Sequence, residues 1–230
     1  MQKDRNQYET LDLCFKEGMK LKMKKLNSEV YQADEIKDFR ELLNRSAEKY
    51  PNNVAYKFKE NLGKPNQRVV EKTYKEVKEE VVALGTKLLE MGLENKKIAV
   101  IGNNRYEWCE SYLAVTTSNM VIVPLDKALP SNEIKSLIER SKADAVIYEN
   151  KYNEVFENLK NEGNETLKYY INMDLKEDKD EILSFRKLIE SGKELIANGN
   201  KRYEEIKIDN EKMSILIFTS GTTSMAKGVM

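Results

Sequence analysis

Apolar positions recur along most of this 230-residue chain with two spacings, one helical and one extended. Ile36, Phe39, Leu42, Leu43 and Ala47 follow the helical period, and Pro51 stops the run. VAYKF (54–58) and RVVEKTY (68–74) read as two strands around a Gly/Pro/Asn turn, a hairpin at a sheet edge. Thr73 and Glu76 then make a T-x-x-E capping box. The helix it opens carries Val77, Val81, Leu84, Leu88 and Leu89 on one face, and Gly92 closes it as the residue past the C-cap.

From residue 97 the two spacings alternate. Short apolar runs at 98–101, 121–124, 145–148, 169–172 and 214–219 predict buried strands. Between them lie a helix over 105–118 with Asn104 as N-cap, one capped by Ser131 with Ile134, Leu137 and Ile138 inside, and one marked by Phe185, Leu188 and Ile189. Residues 150–166 and 176–182 are polar enough to read as surface loops or helix ends. Strands alternating with amphipathic helices predict an α/β fold, a mostly parallel, doubly wound sheet with helices on both faces. Residues 34–230 form the domain. Residues 1–33 form an N-terminal arm packed on it, with a basic amphipathic membrane-surface arm through 14–30 as the alternative.

Composition narrows the chemistry. Lys plus Arg number 39 and Asp plus Glu also number 39, so no net field draws the chain to nucleic acid. Histidine is absent, which excludes a Ser-His-Asp triad, a Cys-His dyad and a histidine metal site within this chain. Cys14 and Cys109 form no C-x-x-C and read as reduced thiols. No secretory signal opens the sequence, and no run approaches the roughly 20 apolar residues of a membrane span, which points to a cytoplasmic protein. Trp108 and Tyr106 read as helix-face packing, Arg105 as a local cap or ion pair, and Glu79–Glu80 as a solvated helix face.

Chemistry concentrates in the last stretch, IFTSGTTSMAKGVM (217–230), where five of fourteen residues are Ser or Thr. A strand feeds directly into it, so the loop lies at the carboxyl edge of the sheet, where ligands of open α/β folds bind. Gly221 and Gly228 admit backbone shapes that side chains block. Backbone amides there can converge on an anion, Thr219, Ser220, Thr222, Thr223 and Ser224 add hydroxyls, and Lys227 adds a positive charge. The chemistry this suits is phosphate binding. It is not a Walker A loop, since Ala226 stands at the second glycine's place and Gly228 at the hydroxyl's. A polar surface loop is the plain alternative.

FTSGTTSMAKGVM (218–230) resembles the signature phosphate loop of the AMP-forming, adenylate-forming enzymes, with Ser224 where Gly is usual and Ala226 where Pro is usual. The resemblance continues upstream through YPNNVAY (50–56), TYKEV (73–77), IGNNRYEW (101–108) and VIVPLDKALPSNEI (121–134), and NNRYEWCESYLAV (103–115) is most similar to long-chain fatty acid CoA ligases. It implies a partial AMP-binding domain that stops just after its phosphate loop, belonging to a ligase that joins a carboxylic acid to AMP from ATP and then to coenzyme A. Mg²⁺ would share the phosphate charge. Thr219, Ser220, Gly221, Thr222, Thr223, Ser224 and Gly228 would hold phosphate, and Lys227 would act in catalysis. No residue of this chain is expected to ligate metal. The family's adenine pocket, ribose-binding acid, metal-linked glutamate and C-terminal lysine come after this loop, so the chain alone is expected to be inactive and to bind ATP weakly. The alternatives are an adenylating enzyme for another acid, or a non-catalytic phosphate-binding or interaction module.

Overall fold

The first described element along the chain is started by a side chain. Asp38 accepts the amide N–H of Glu41 at 2.7 Å and starts helix α1 at Phe39–Lys49, so Ile36 lies outside the helix. The computed structural model describes residues 35–61, 63, 65–219 and 227–229, with Lys227 described by its backbone alone. Contacts group residues 36–230 into one unit and 1–35 into another, and all the described helices and strands belong to the first. Of the apolar α1 positions, Leu43 and Ala47 are buried while Phe39 and Leu42 stay exposed. The helix is instead anchored by Arg40, whose guanidinium donates to the carbonyls of Thr117 and Ile206 and lies over the Tyr203 ring.

Strands β1 (Val54–Glu60) and β2 (Arg68–Thr73) pair antiparallel as expected. They form a separate two-stranded sheet, not an edge of the main one. The reason is aromatic packing: Phe58 stacks on Tyr106 at 5.1 Å and Tyr56 meets the same ring edge-on at 5.4 Å, which seats the hairpin on helices. Helix α2 (Tyr74–Glu90) opens with the capping box, Thr73 Oγ1 accepting from Glu76 N and the Glu76 carboxylate accepting from Thr73 N. Thr73→Ala is expected to lower stability by about 1 kcal/mol, read as a shift in the denaturant midpoint at unchanged slope.

The main sheet holds β3 (Lys97–Ile101), β4 (Val121–Pro124), β5 (Ala145–Tyr148), β6 (Tyr169–Asn172) and β7 (Ile182–Ser184), all parallel, in the order β4-β3-β5-β6-β7. Ile98, Val100, Ile122, Ile147 and Ile171 face α2, α3 (Tyr106–Thr116) and α6 (Phe185–Ala197). Ala99, Ile101, Val123, Val146 and Tyr148 face α4 (Ser131–Ser141) and α5 (Asn153–Glu162). Helices therefore cover both faces, which is why these strands are apolar on both sides.

Several local expectations are corrected. Arg105, not Asn104, is the N-cap of α3, and its side chain makes ion pairs in place of a cap bond. Pro130, in extended conformation, is the N-cap of α4, and Ser131 is its first helical residue. The polar stretch after β5 contains a 3₁₀ turn (Asn150–Tyr152) and then α5, because Val155, Phe156 and Leu159 share one buried helical face. Strand β7 begins at Ile182, the last residue of the 176–182 stretch expected as a loop or helix end: Ile182 and Leu183 pair with Tyr170 and Ile171. A short helix α7 (Arg202–Glu205) buries Tyr203.

Candidate phosphate loop

The expected last strand, 214–219, divides into two parts. Ile122 N donates to Ser214 O and Leu216 N donates to Ile122 O, each at 2.9 Å, so this part runs parallel beside β4. The chain thereby travels toward the carboxyl edge of the sheet before it enters β8 (Ile217–Thr219). There it leaves the main sheet and pairs antiparallel with β9 (Lys227–Val229). Leu216 and Phe218 pack against the apolar layer that includes α4, with the Arg140 guanidinium over the Phe218 ring.

This ladder locates the two ends of the candidate loop. Thr219 is exposed at the end of β8, directly opposite the backbone of Lys227, and Gly228 pairs with Phe218. A Cβ on Gly228 would approach Leu216 Cδ1 to 3.3 Å, a tight contact. The structure thus brings Thr219, Lys227 and Gly228 together across one strand pair. Ser220, Gly221, Thr222, Thr223 and Ser224 lie outside the described residues. The backbone of residues 227–229 is paired with β8.

The strand order has its switch point between β3 and β5, since the chain turns to β4 on one side and β5 on the other. A polar network that the sequence did not suggest occupies the carboxyl ends there. Buried Glu149 accepts from the backbone and side-chain N–H groups of Asn103 at 2.8 and 2.9 Å. Arg105 bonds Glu107 and Asp174 at 2.7 and 2.6 Å and lies 3.8 Å from Glu149. Burial acts to lower the Arg105 pKa, and its bonds to Glu107 and Asp174 outweigh this and raise it. With three carboxylates around it, Arg105 is an internal brace and not a cation free to draw phosphate. Nothing local in sequence joins Arg105 to Glu149 and Asp174, which follow the later strands β5 and β6.

Among the described residues, no group of three or more Cys, Asp or Glu side chains is placed to hold a metal ion. No described helix is long and apolar enough to cross a membrane. An open groove of about 800 Å³, lined by Phe39, Leu42, Met120, Val121, Ile208 and Met213, lies at the amino ends of β3 and β4. It is at the opposite end of the strands from the candidate loop and takes no part in it.

Residues 43–230 match the family model described as AMP-binding enzyme. The chain belongs to this family. Within it, the chain is similar to long chain acyl-CoA synthetase 4 of Arabidopsis thaliana, 31% identical over 191 residues, covering 80% of this chain and 28% of that protein. It is likewise similar to long-chain-fatty-acid–CoA ligase 5 of Rattus norvegicus, 33% identical over 181 residues, covering 73% of this chain and 26% of that one. The chain therefore spans about a quarter of the curated relatives' length. Among solved structures, a long-chain-fatty-acid-CoA ligase from Archaeoglobus fulgidus superposes with a TM-score of 0.67 at 17% identity, over 87% of this chain and 37% of that one. An anthranilate CoA ligase in complex with anthranoyl-AMP gives 0.66 at 17% identity, over 86% and 35%. At that identity these establish the fold: an α/β AMP-binding enzyme fold, matched over part of its length.

Proposed function

We propose that this AMP-binding domain supplies the phosphate-holding part of an ATP-dependent acid–CoA ligase acting on long-chain fatty acids. The observation that carries the reading is the placement of the hydroxyl- and glycine-rich segment between β8 and β9, whose ends meet at Thr219 and Lys227. In the proposed reaction a carboxylate oxygen attacks the α-phosphorus of ATP. The new C–O–P bond gives the acyl adenylate, and pyrophosphate leaves. The coenzyme A thiol then attacks the acyl carbon, forming the thioester and releasing AMP. The backbone amides and hydroxyls of 219–224 hold the β- and γ-phosphates, and Lys227 offsets charge that develops on the leaving pyrophosphate.

The long-chain preference rests on the Arabidopsis and rat relatives. The second reading, adenylation of another acid, is favoured by the equally good fold match to an anthranilate CoA ligase. ATP–pyrophosphate exchange by the protein carrying this chain, compared across a long-chain fatty acid, an aryl acid and an amino acid, separates them. Exchange that depends on the long-chain acid is the expected result. Exchange with an aryl or amino acid alone would replace this reading by the second. Phosphate binding without exchange would leave only a binding module.

A further inference from the structure

Glu80 does not lie on a solvated face. Its side chain is 16% exposed, and its two carboxylate oxygens bridge different elements. Oε1 accepts from Lys72 Nζ on β2, and Oε2 accepts from the Tyr106 hydroxyl on α3 at 2.7 Å. Lys72 also lies over the Tyr106 ring. One turn along α3 from Tyr106 is Glu110, 2% exposed, with Oε1 buried and without a hydrogen-bond partner. A carboxylate so placed is costly, whereas a neutral carboxylic acid is tolerated.

We propose that the β1–β2 hairpin is a proton-controlled clasp: it stays seated on α2 and α3 while Glu110 carries its proton, and its hold weakens when Glu110 ionises. The groups acting on Glu110 come from four elements. Glu80 on α2 and Glu107 on α3 disfavour its ionisation, and Lys72 on β2 and Lys193 on α6 favour it. Tyr106, which bonds Glu80, and Tyr56, which bonds the Cys109 thiol, are phenols raised by burial and remain neutral. Burial comes first among the causes that hold the Glu110 carboxyl well above the ordinary value of 4.5.

An ionised Glu110 has two routes to relief. It can draw Lys72 away from Glu80, or it can admit water by parting the Lys72–Glu80–Tyr106 contacts near it. Both loosen the hairpin, whose strands, among the described residues, pair with each other alone and which is held by Tyr56, Phe58 and Lys72. Elements held by few contacts open first. The sign comes from proton counting. The closed form binds the proton more tightly than the open form. The stability it carries is complete below 4.5 and is lost as pH rises through the raised value.

Hydrogen exchange of amides 54–73, compared with amides 98–101 and corrected for intrinsic rates, tests the clasp from mildly acid to mildly alkaline pH. In the wild-type chain, hairpin protection should fall with rising pH relative to the sheet, by about tenfold per unit of upward displacement. In Glu110→Gln it should be independent of pH and higher at the alkaline end. Equal protection of hairpin and sheet at every pH, or the same slope in the variant, overturns the proposal. A carboxyl-carbon NMR titration of the wild-type chain serves if the variant does not fold. Glu110 titrating at the ordinary glutamate value also overturns it.

Discussion

Lys227→Ala is expected to slow acyl-adenylate formation about 10- to 150-fold while leaving the melting temperature nearly unchanged. The rate loss comes from the role proposed for this lysine. A charge-assisted hydrogen bond contributes roughly 1.5–3 kcal/mol, and at about 1.4 kcal/mol per factor of ten this becomes the stated loss if the bond is made only in the transition state. The unchanged melting comes from the ladder. Lys227 joins β9 through its backbone opposite Thr219, and alanine keeps those backbone groups. Pyrophosphate exchange beside thermal melting measures both. Wild-type exchange in the variant would remove Lys227 from the site, and a large fall in melting temperature would make its role structural.

A side chain at Gly192 is expected to destabilise the domain severely. Gly192 lies on α6 where that helix crosses α2, and a Cβ there would lie 1.9 Å from the Ala83 carbonyl oxygen and 2.5 Å from its carbon. Both atoms are backbone, so no rotamer relieves the overlap and the helices must part. Leu84, Leu88 and Leu188, all buried beside this crossing, would lose packing as they did so. Gly192→Ala regains roughly 0.5–1 kcal/mol of helix preference, which is too little to compensate. The expected net cost is about 3 kcal/mol or more, a large share of the roughly 5–15 kcal/mol that holds a domain together. At about 2–4 °C per kcal/mol for a chain of this size, the melting temperature should fall by roughly 6–12 °C. A melting temperature equal to wild type would contradict the closeness of α2 and α6.

The loop's pinned ends also bear on affinity for ATP. Ordering a loop costs about 1–2 kcal/mol of backbone entropy per residue. Pairing of 227–229 with 217–219 meets part of that cost before any ligand arrives. The isolated chain is still expected to bind ATP weakly, and calorimetry on it is the direct measurement.

Local pattern alone determined the α/β class, the parallel strands near 98, 121, 145 and 169, the capping box at Thr73 and Glu76, and the family resemblance carried by 218–230. Each is written within a few neighbouring residues: an apolar run, a hydroxyl three places before a glutamate, a hydroxyl-rich loop after a strand. The register β4-β3-β5-β6-β7, the seating of the hairpin on Tyr106, the Glu149 network on Asn103 and Arg105, and the bond from Arg40 to Thr117 are different in kind. They join residues 12 to 77 positions apart, and no local spacing encodes such meetings. Glu80 shows the difference most directly. Its neighbours in sequence mark it as one more charge on a helix, and its burial between Lys72 and Tyr106 exists only because a hairpin and a second helix converge on it. Local interactions choose elements, while burial and long-range pairing choose which side chains are removed from water, and in this chain that second choice decides which glutamates are solvated and which can act.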